Sequence, residues 1–172
     1  MARPPVWIAA SRGCAVAVAV AACGGGTAAA PPGVVADSPG IDRAGLAARV
    51  QGELRHAWNG YRRYAWGHDE LKPLTRTAHD WYPAPLLMTA GDTLDTLLIA
   101  GMTDEAALTR AYVAENLSFD ADISVKNFEI TIRILGGLLS SYQMTGDARL
   151  LRLAEDLGTR LLPVFDSPTG MP

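Results

Sequence analysis

Cysteine is nearly missing from this 172-residue chain, and the two present, Cys14 and Cys23, both lie at its start. Nothing downstream of them can form a disulfide, so an exported fold would rest on its core alone. Basic runs are equally scarce. None exceeds Arg62-Arg63 and the net charge is −3, so nucleic-acid binding has no electrostatic footprint. There is no HExxH, no GxSxG elbow and no phosphate loop ending in Gly-Lys-Ser/Thr, which removes three common catalytic or nucleotide-binding readings. Strand-like alternation is absent to the eye, and no internal repeat stands out.

What is present begins with a leader. MARPPVWIAASRGC carries Arg3 and Arg12 without an acid, and Ala15 to Ala22 is a short apolar run. Charged start, apolar middle and small-residue exit describe a secretory signal. The run falls far short of the ~20 residues of a membrane span. Val20-Ala21-Ala22-Cys23 resembles a bacterial lipobox, which implies cleavage before Cys23 and lipidation of its sulfur; plain secretion with cleavage elsewhere is the alternative. Residues 1–22 are therefore expected to be a lipoprotein-type signal peptide. Residues 23–40, rich in Gly, Ala and Pro, should be a flexible tether. Removing 1–22 leaves 13 basic and 18 acidic side chains, a charge of −5.

From Ile41 onward the spacing is helical and the expected class is all-α. Leu46, Val50, Leu54, Trp58, Tyr61 and Ala65 recur at three and four, predicting an amphipathic helix over about 44–66. Gly67 ends it, and Pro73, Pro83 and Pro85 predict an irregular stretch. Asp92 is a plausible N-cap for TLDTLLIAG, closed by Gly101. Thr103 opens a helix to about Leu117. A longer one should span Ser124 to Met144 and stop at Gly146, and Asp147 should cap the last, halted by Pro163. The helix over 124–144 is apolar almost all round and needs cover on several sides. Five helices barely supply that, so this reads as part of a larger all-α fold.

Three groups of residues bear on chemistry. Asp120-Ala121-Asp122-Ile123-Ser124 imitates half a calcium loop, but Val125 and Thr131 stand where Gly and Glu belong; a solvated capping turn is expected. His68, Asp69, Glu70, His79 and Asp80 form a polar cluster whose spacing suits hydrogen bonding or a pocket rim better than zinc. Glu129 and Arg133 share a helix face with Val125, Gly136 or Gly137, and Ser140. On a surface they would be a minor pair worth ~0.3–0.5 kcal/mol. Beside a cavity, burial would push the Glu129 carboxyl towards the neutral form that a general acid needs, while Arg133 would favour the anion.

HAWNGYRRYAWGHDELKPLT (56–75), DTLDTLLIAGM (92–102), ENLSFDADISVKNFEITIRILGGLLSSY (115–142) and LAEDLGTRLLPVFDSPTGMP (153–172) resemble, in order, the N-terminal part of class I α-1,2-mannosidases, family 47 of the glycoside hydrolases. The resemblance implies part of an (α/α)7 barrel, with residues 41–172 as its N-terminal piece. It implies hydrolysis of terminal α-1,2-linked mannose on glycans, with inversion and with a calcium ion as cofactor. Glu129 maps to the family's general acid, Arg133 to a residue beside the substrate, and Asp92 to the rim of the same pocket. The family's second carboxylate and its calcium-contacting threonine would lie beyond Pro172, so the expectation is a fragment inactive on its own. Two other readings stay open: a lectin-like glycan binder on the same scaffold, and a helical surface-lipoprotein interaction module.

Overall fold

The computed structural model describes residues 40–172. The expected signal peptide, all but the last residue of the tether, and Cys23 lie outside the described residues. Five helices and one short hairpin make up the described part.

Helix α1 spans Arg43–Tyr64 and opens on Asp42, whose carboxylate accepts the Gly45 N–H at 2.8 Å. Only its C-terminal half is covered. Trp58, Tyr61 and Ala65 are buried and Leu54 packs against them in part, whereas Leu46 and Val50 are exposed, so the first two positions of the predicted apolar stripe stay open. Trp58, Tyr61, Trp66 and Tyr112 form an aromatic cluster with centroids 4.5 to 6.0 Å apart, the spacing at which tilted rings attract. Tyr61 donates its O–H to the His68 carbonyl at 2.8 Å, and burial raises its pKa above the ordinary phenol value.

The segment expected to be irregular contains an antiparallel hairpin. Strand β1, Glu70–Lys72, pairs with β2, Thr77–His79, in the register Glu70↔His79, Leu71↔Ala78 and Lys72↔Thr77. Three residues per strand are too few for alternation to register in the sequence. Side chains supply what the short ladder lacks: His79 pairs with Glu70 at 2.9 Å, and His68 with Asp80 at 3.0 Å.

Helix α2 spans Met88–Ile99, so Asp92 is not its N-cap but lies inside it. The helix begins earlier because its first N–H groups are satisfied from elsewhere in the chain. Asp69 accepts the Met88 N–H on its carboxylate at 3.2 Å and the Thr89 N–H on its carbonyl at 3.0 Å. A cap supplied at long range leaves no local signature. Gly101, at φ +69°, follows the helix end as expected. Helix α3 covers Thr103–Asn116.

Helix α4 runs over residues 127–145 in three parts: an α-helical turn Asn127–Glu129, a π-helical stretch Ile130–Leu135, and an α-helix Gly136–Thr145. Gly146, at φ +70°, ends it. Helix α5, Ala148–Leu161, starts at Asp147, whose carboxylate accepts the Arg149 N–H; a 3₁₀ turn, Leu162–Phe165, follows.

α2 packs between α3 and α4, and α4 packs between α2 and α5. The core holds Leu94, Leu97, Met102, Val113, Ile130, Ile134, Leu138 and Leu150. Gly91 and Gly137 mark the tightest crossing, since a Cβ on Gly137 would sit 2.5 Å from the Gly91 carbonyl oxygen. The other side of α4 is only partly covered by the described residues: Phe128 is 68% exposed, and Ile132 and Leu139 are also open. No helix among the described residues is long and apolar enough to cross a membrane.

Candidate active site

The expected site residues converge on Arg133. Its Nε donates to Glu129 Oε2 at 2.7 Å and its Nη1 to Asp92 Oδ2 at 2.9 Å. The first contact follows from the four-residue spacing, aided by the π-helical stretch between them. A π-helix closes a wider turn than an α-helix, so a residue four positions on lies more nearly above its partner. The second contact joins α4 to α2 across 41 residues of chain. It depends on the Gly91–Gly137 crossing, because Asp92 follows Gly91 directly.

Glu129 is neither a deeply buried acid nor an open surface one. Its side chain is 28% exposed, against 37% for Arg133 and 39% for Asp92. The bonds to Glu129 first and Asp92 second hold the Arg133 guanidinium still more firmly in its charged form. Among the described residues no hydrogen bond reaches Glu129 Oε1; only Oε2 is engaged, by Arg133. One carboxyl oxygen is thus fixed and the other is left available.

Four further residues complete the surroundings, and of these Trp81 and Asp95 were not singled out by sequence reasoning. The Arg133 guanidinium carbon lies 5.4 Å from the centre of the Trp81 ring, within cation–π range. Trp81 Nε1 donates to Glu70 Oε2 at 2.8 Å. One turn beyond Asp92, Asp95 accepts the Ser140 hydroxyl at 2.6 Å. Ser140 was expected on the Glu129 face, so a polar partner on α2 was legible in principle; Trp81 left no such trace.

The polar cluster of residues 68–80 is a hydrogen-bonding network, as the sequence favoured. Asp69 is fully buried and its carboxylate accepts N–H bonds from Trp81, Leu86 and Met88 at 2.7 to 3.2 Å. A calcium ion takes six to eight oxygens at about 2.3–2.6 Å. No three His, Cys, Asp or Glu side chains come together that way among the described residues. The described residues thus offer no set of ligands that fits a calcium ion.

The sequence profile described as glycosyl hydrolase family 47 matches residues 53–172. The chain belongs to that family. It is 50% identical over 117 residues to the human endoplasmic reticulum mannosyl-oligosaccharide 1,2-alpha-mannosidase, covering 68% of this chain and 16% of that protein. A mannosyl-oligosaccharide 1,2-alpha-mannosidase of Arabidopsis thaliana is 44% identical over 124 residues, covering 72% of this chain and 22% of its own length. The solved alpha-1,2-mannosidase from Trichoderma reesei superposes with a TM-score of 0.68 at 30% identity, over 75% of this chain and 30% of that one. The chain therefore spans about a fifth of the length of these curated relatives. Its helices match part of the (α/α)7 barrel of the glycosyl hydrolase family 47 enzymes, and Glu129, Arg133 and Asp92 all lie inside the matched segment.

Proposed function

We propose that this glycosyl hydrolase family 47 chain carries the proton-donating part of an α-1,2-mannosidase active site, acting on terminal mannose of oligosaccharides or glycoprotein glycans. The observation that carries the reading is the half-buried Glu129 carboxyl, one oxygen held by Arg133 and the other open. The names of the relatives, mannosyl-oligosaccharide 1,2-alpha-mannosidases, supply the substrate class.

In this reading Glu129 is the general acid. Arg133 fixes Oε2, so the proton is carried on Oε1 and handed to the glycosidic oxygen as the bond to the departing sugar breaks. General acid help is worth roughly 10²–10⁴-fold in rate. The acid gives up its proton in each turnover and must take another from solvent, which the partial exposure of its side chain allows. Arg133 and Asp92, bonded to one another beside the acid, grip sugar hydroxyls, with guanidinium N–H groups donating and the free carboxylate lone pairs accepting. Inversion further requires a second carboxylate ~6.5–9.5 Å away to activate water. Asp92 is tied to the same guanidinium as the acid, and we assign it to substrate binding. The chain by itself is accordingly expected to hydrolyse nothing.

Export belongs to the same reading: residues 1–22 as signal, Cys23 as lipidation site, 23–40 as tether and 41–172 as the barrel piece. The leader composition supports the signal and the lipidation site, and relatives named for the endoplasmic reticulum support a non-cytosolic location.

The test is a chimera in which residues 53–172 replace the matched segment of the human relative. It should hydrolyse α-1,2-mannobiose, with NMR showing the inverted anomer first. Glu129→Gln should abolish turnover while leaving sugar binding. A chimera that still turns over with Glu129→Gln refutes the acid assignment. A folded chimera that binds without hydrolysing, even with Glu129 in place, favours a glycan-binding role instead.

A further inference from the structure

We propose that Asp69 is the positioning residue of this site. Through the segment 81–89 it sets both the place of Arg133 and the place of Asp92. The inference rests on the reading above for its functional meaning, but its geometry stands apart from any reaction.

Each oxygen of the buried Asp69 carboxylate serves a different arm. Oδ2 accepts the backbone N–H of Trp81 at 3.0 Å, and the Trp81 ring lies against the Arg133 guanidinium. Oδ1 accepts the N–H groups of Leu86 at 2.7 Å and Met88 at 3.2 Å, and Met88 opens the helix that carries Asp92. The Asp69 carbonyl adds the Thr89 N–H at 3.0 Å and the Thr89 hydroxyl at 2.6 Å. Between the two residues bonded to Oδ1 sits Leu87, a buried leucine at φ 52° and ψ 40°. A non-glycine residue holds that left-handed conformation only where its surroundings over-determine it, and the paired bonds on either side do so. The segment also reaches the helix bearing Glu129. The Tyr82 hydroxyl accepts the backbone N–H of Lys126 at 3.2 Å, and Lys126 directly precedes α4.

A buried carboxylate that merely stabilised the fold would have no reason to bond segments leading to each member of one cluster. Here the two arms end on the two partners of a single guanidinium environment: the ring stacked on Arg133 and the helix that brings Asp92. Asp69 touches no reacting atom. It acts through Trp81 and through the start of α2.

Asp69→Asn separates the arms. An amide keeps one acceptor oxygen, best used where two N–H groups converge, at Leu86 and Met88; its NH₂ then faces the Trp81 N–H, donor against donor. The expected result is a chain that keeps α2 but loosens the ring from Arg133. The readout is the rate at which phenylglyoxal modifies Arg133 in the 172-residue chain, measured by mass spectrometry on digested peptides. Arg55 and Arg160, each paired with a carboxylate, serve as internal references. Arg133 should react severalfold faster with Asp69→Asn and with Trp81→Leu, while the references stay at their wild-type rates. Leu150→Ala, which opens the core away from the hairpin, should lower stability without altering the Arg133 rate. An unchanged Arg133 rate in folded Asp69→Asn or in Trp81→Leu, or an equal rise in Leu150→Ala, overturns the proposal. If Asp69→Asn does not fold, Trp81→Leu, at a partly exposed position, still decides the ring arm. Because no sugar is present, failure of the mannosidase reading leaves this result untouched.

Discussion

Replacing Gly137 by alanine probes the contact on which the site geometry depends. The added Cβ would lie 2.5 Å from the Gly91 carbonyl oxygen, 3.2 Å from its carbon and 3.5 Å from Asp92 Cα. The first distance falls nearly 1 Å short of ordinary contact, and the atoms opposed are backbone, which cannot rotate aside. Overpacking of this kind costs ~1–3 kcal/mol, offset by ~1 kcal/mol of helix propensity on replacing glycine by alanine. The net loss should be about 1 kcal/mol. Gly136 is the control in the adjoining position. A Cβ there meets only the Thr131 carbonyl oxygen at 3.6 Å, so Gly136→Ala should gain up to about 1 kcal/mol. The two variants should then differ by about 2 kcal/mol, or roughly 5–10 °C in Tm, read by thermal unfolding followed by circular dichroism. α2 must also retreat from α4 in Gly137→Ala, lengthening the 2.9 Å Arg133–Asp92 bond and quickening phenylglyoxal modification of Arg133. Equal Tm values for the two variants, or a higher one for Gly137→Ala, would refute the close-crossing argument.

The acid limb of stability should reflect Asp147. Its hydrogen bond from Arg149 pulls the carboxyl down to about 2, from an unfolded value near 4. A depressed carboxyl stabilises the fold above its unfolded pKa, so this contribution is lost as pH falls from about 4 through about 2; Asp147→Asn should flatten acid unfolding in that window. Leu150→Ala empties a fully buried position and should cost about 2–5 kcal/mol by urea denaturation. Phe128→Ser combined with Ile132→Ser removes exposed apolar side chains from α4; binding of a hydrophobic dye and self-association should both fall, with Tm little changed.

Most helices were legible because their signals are local. The stops at Gly101 and Gly146 and the cap at Asp147 act within one turn of chain, and the structure has each of them where the spacing put it. Glu129 and Arg133 were legible as a pair for the same reason: four residues of helix bring them together. The hairpin was not, because strands of three residues are defined by their partner rather than by their own pattern. The expected N-cap role of Asp92 failed at the same point. A capping residue is recognised by its neighbours in sequence, and here the cap came from Asp69, 19 residues before the N–H it receives.

The amino-acid order alone thus determined an all-α chain with an acid and an arginine on one helix face, since helical periodicity and side-chain spacing are properties of adjacent residues. Folding in three dimensions decided what that pair became. It set α2 against α4 at two glycines, brought Asp92 to the arginine and laid Trp81 against it. It also left one face of α4 exposed among the described residues. Each of these results comes from segments remote in sequence meeting in space, where close packing and the need to satisfy buried N–H groups select one arrangement that no local pattern encodes.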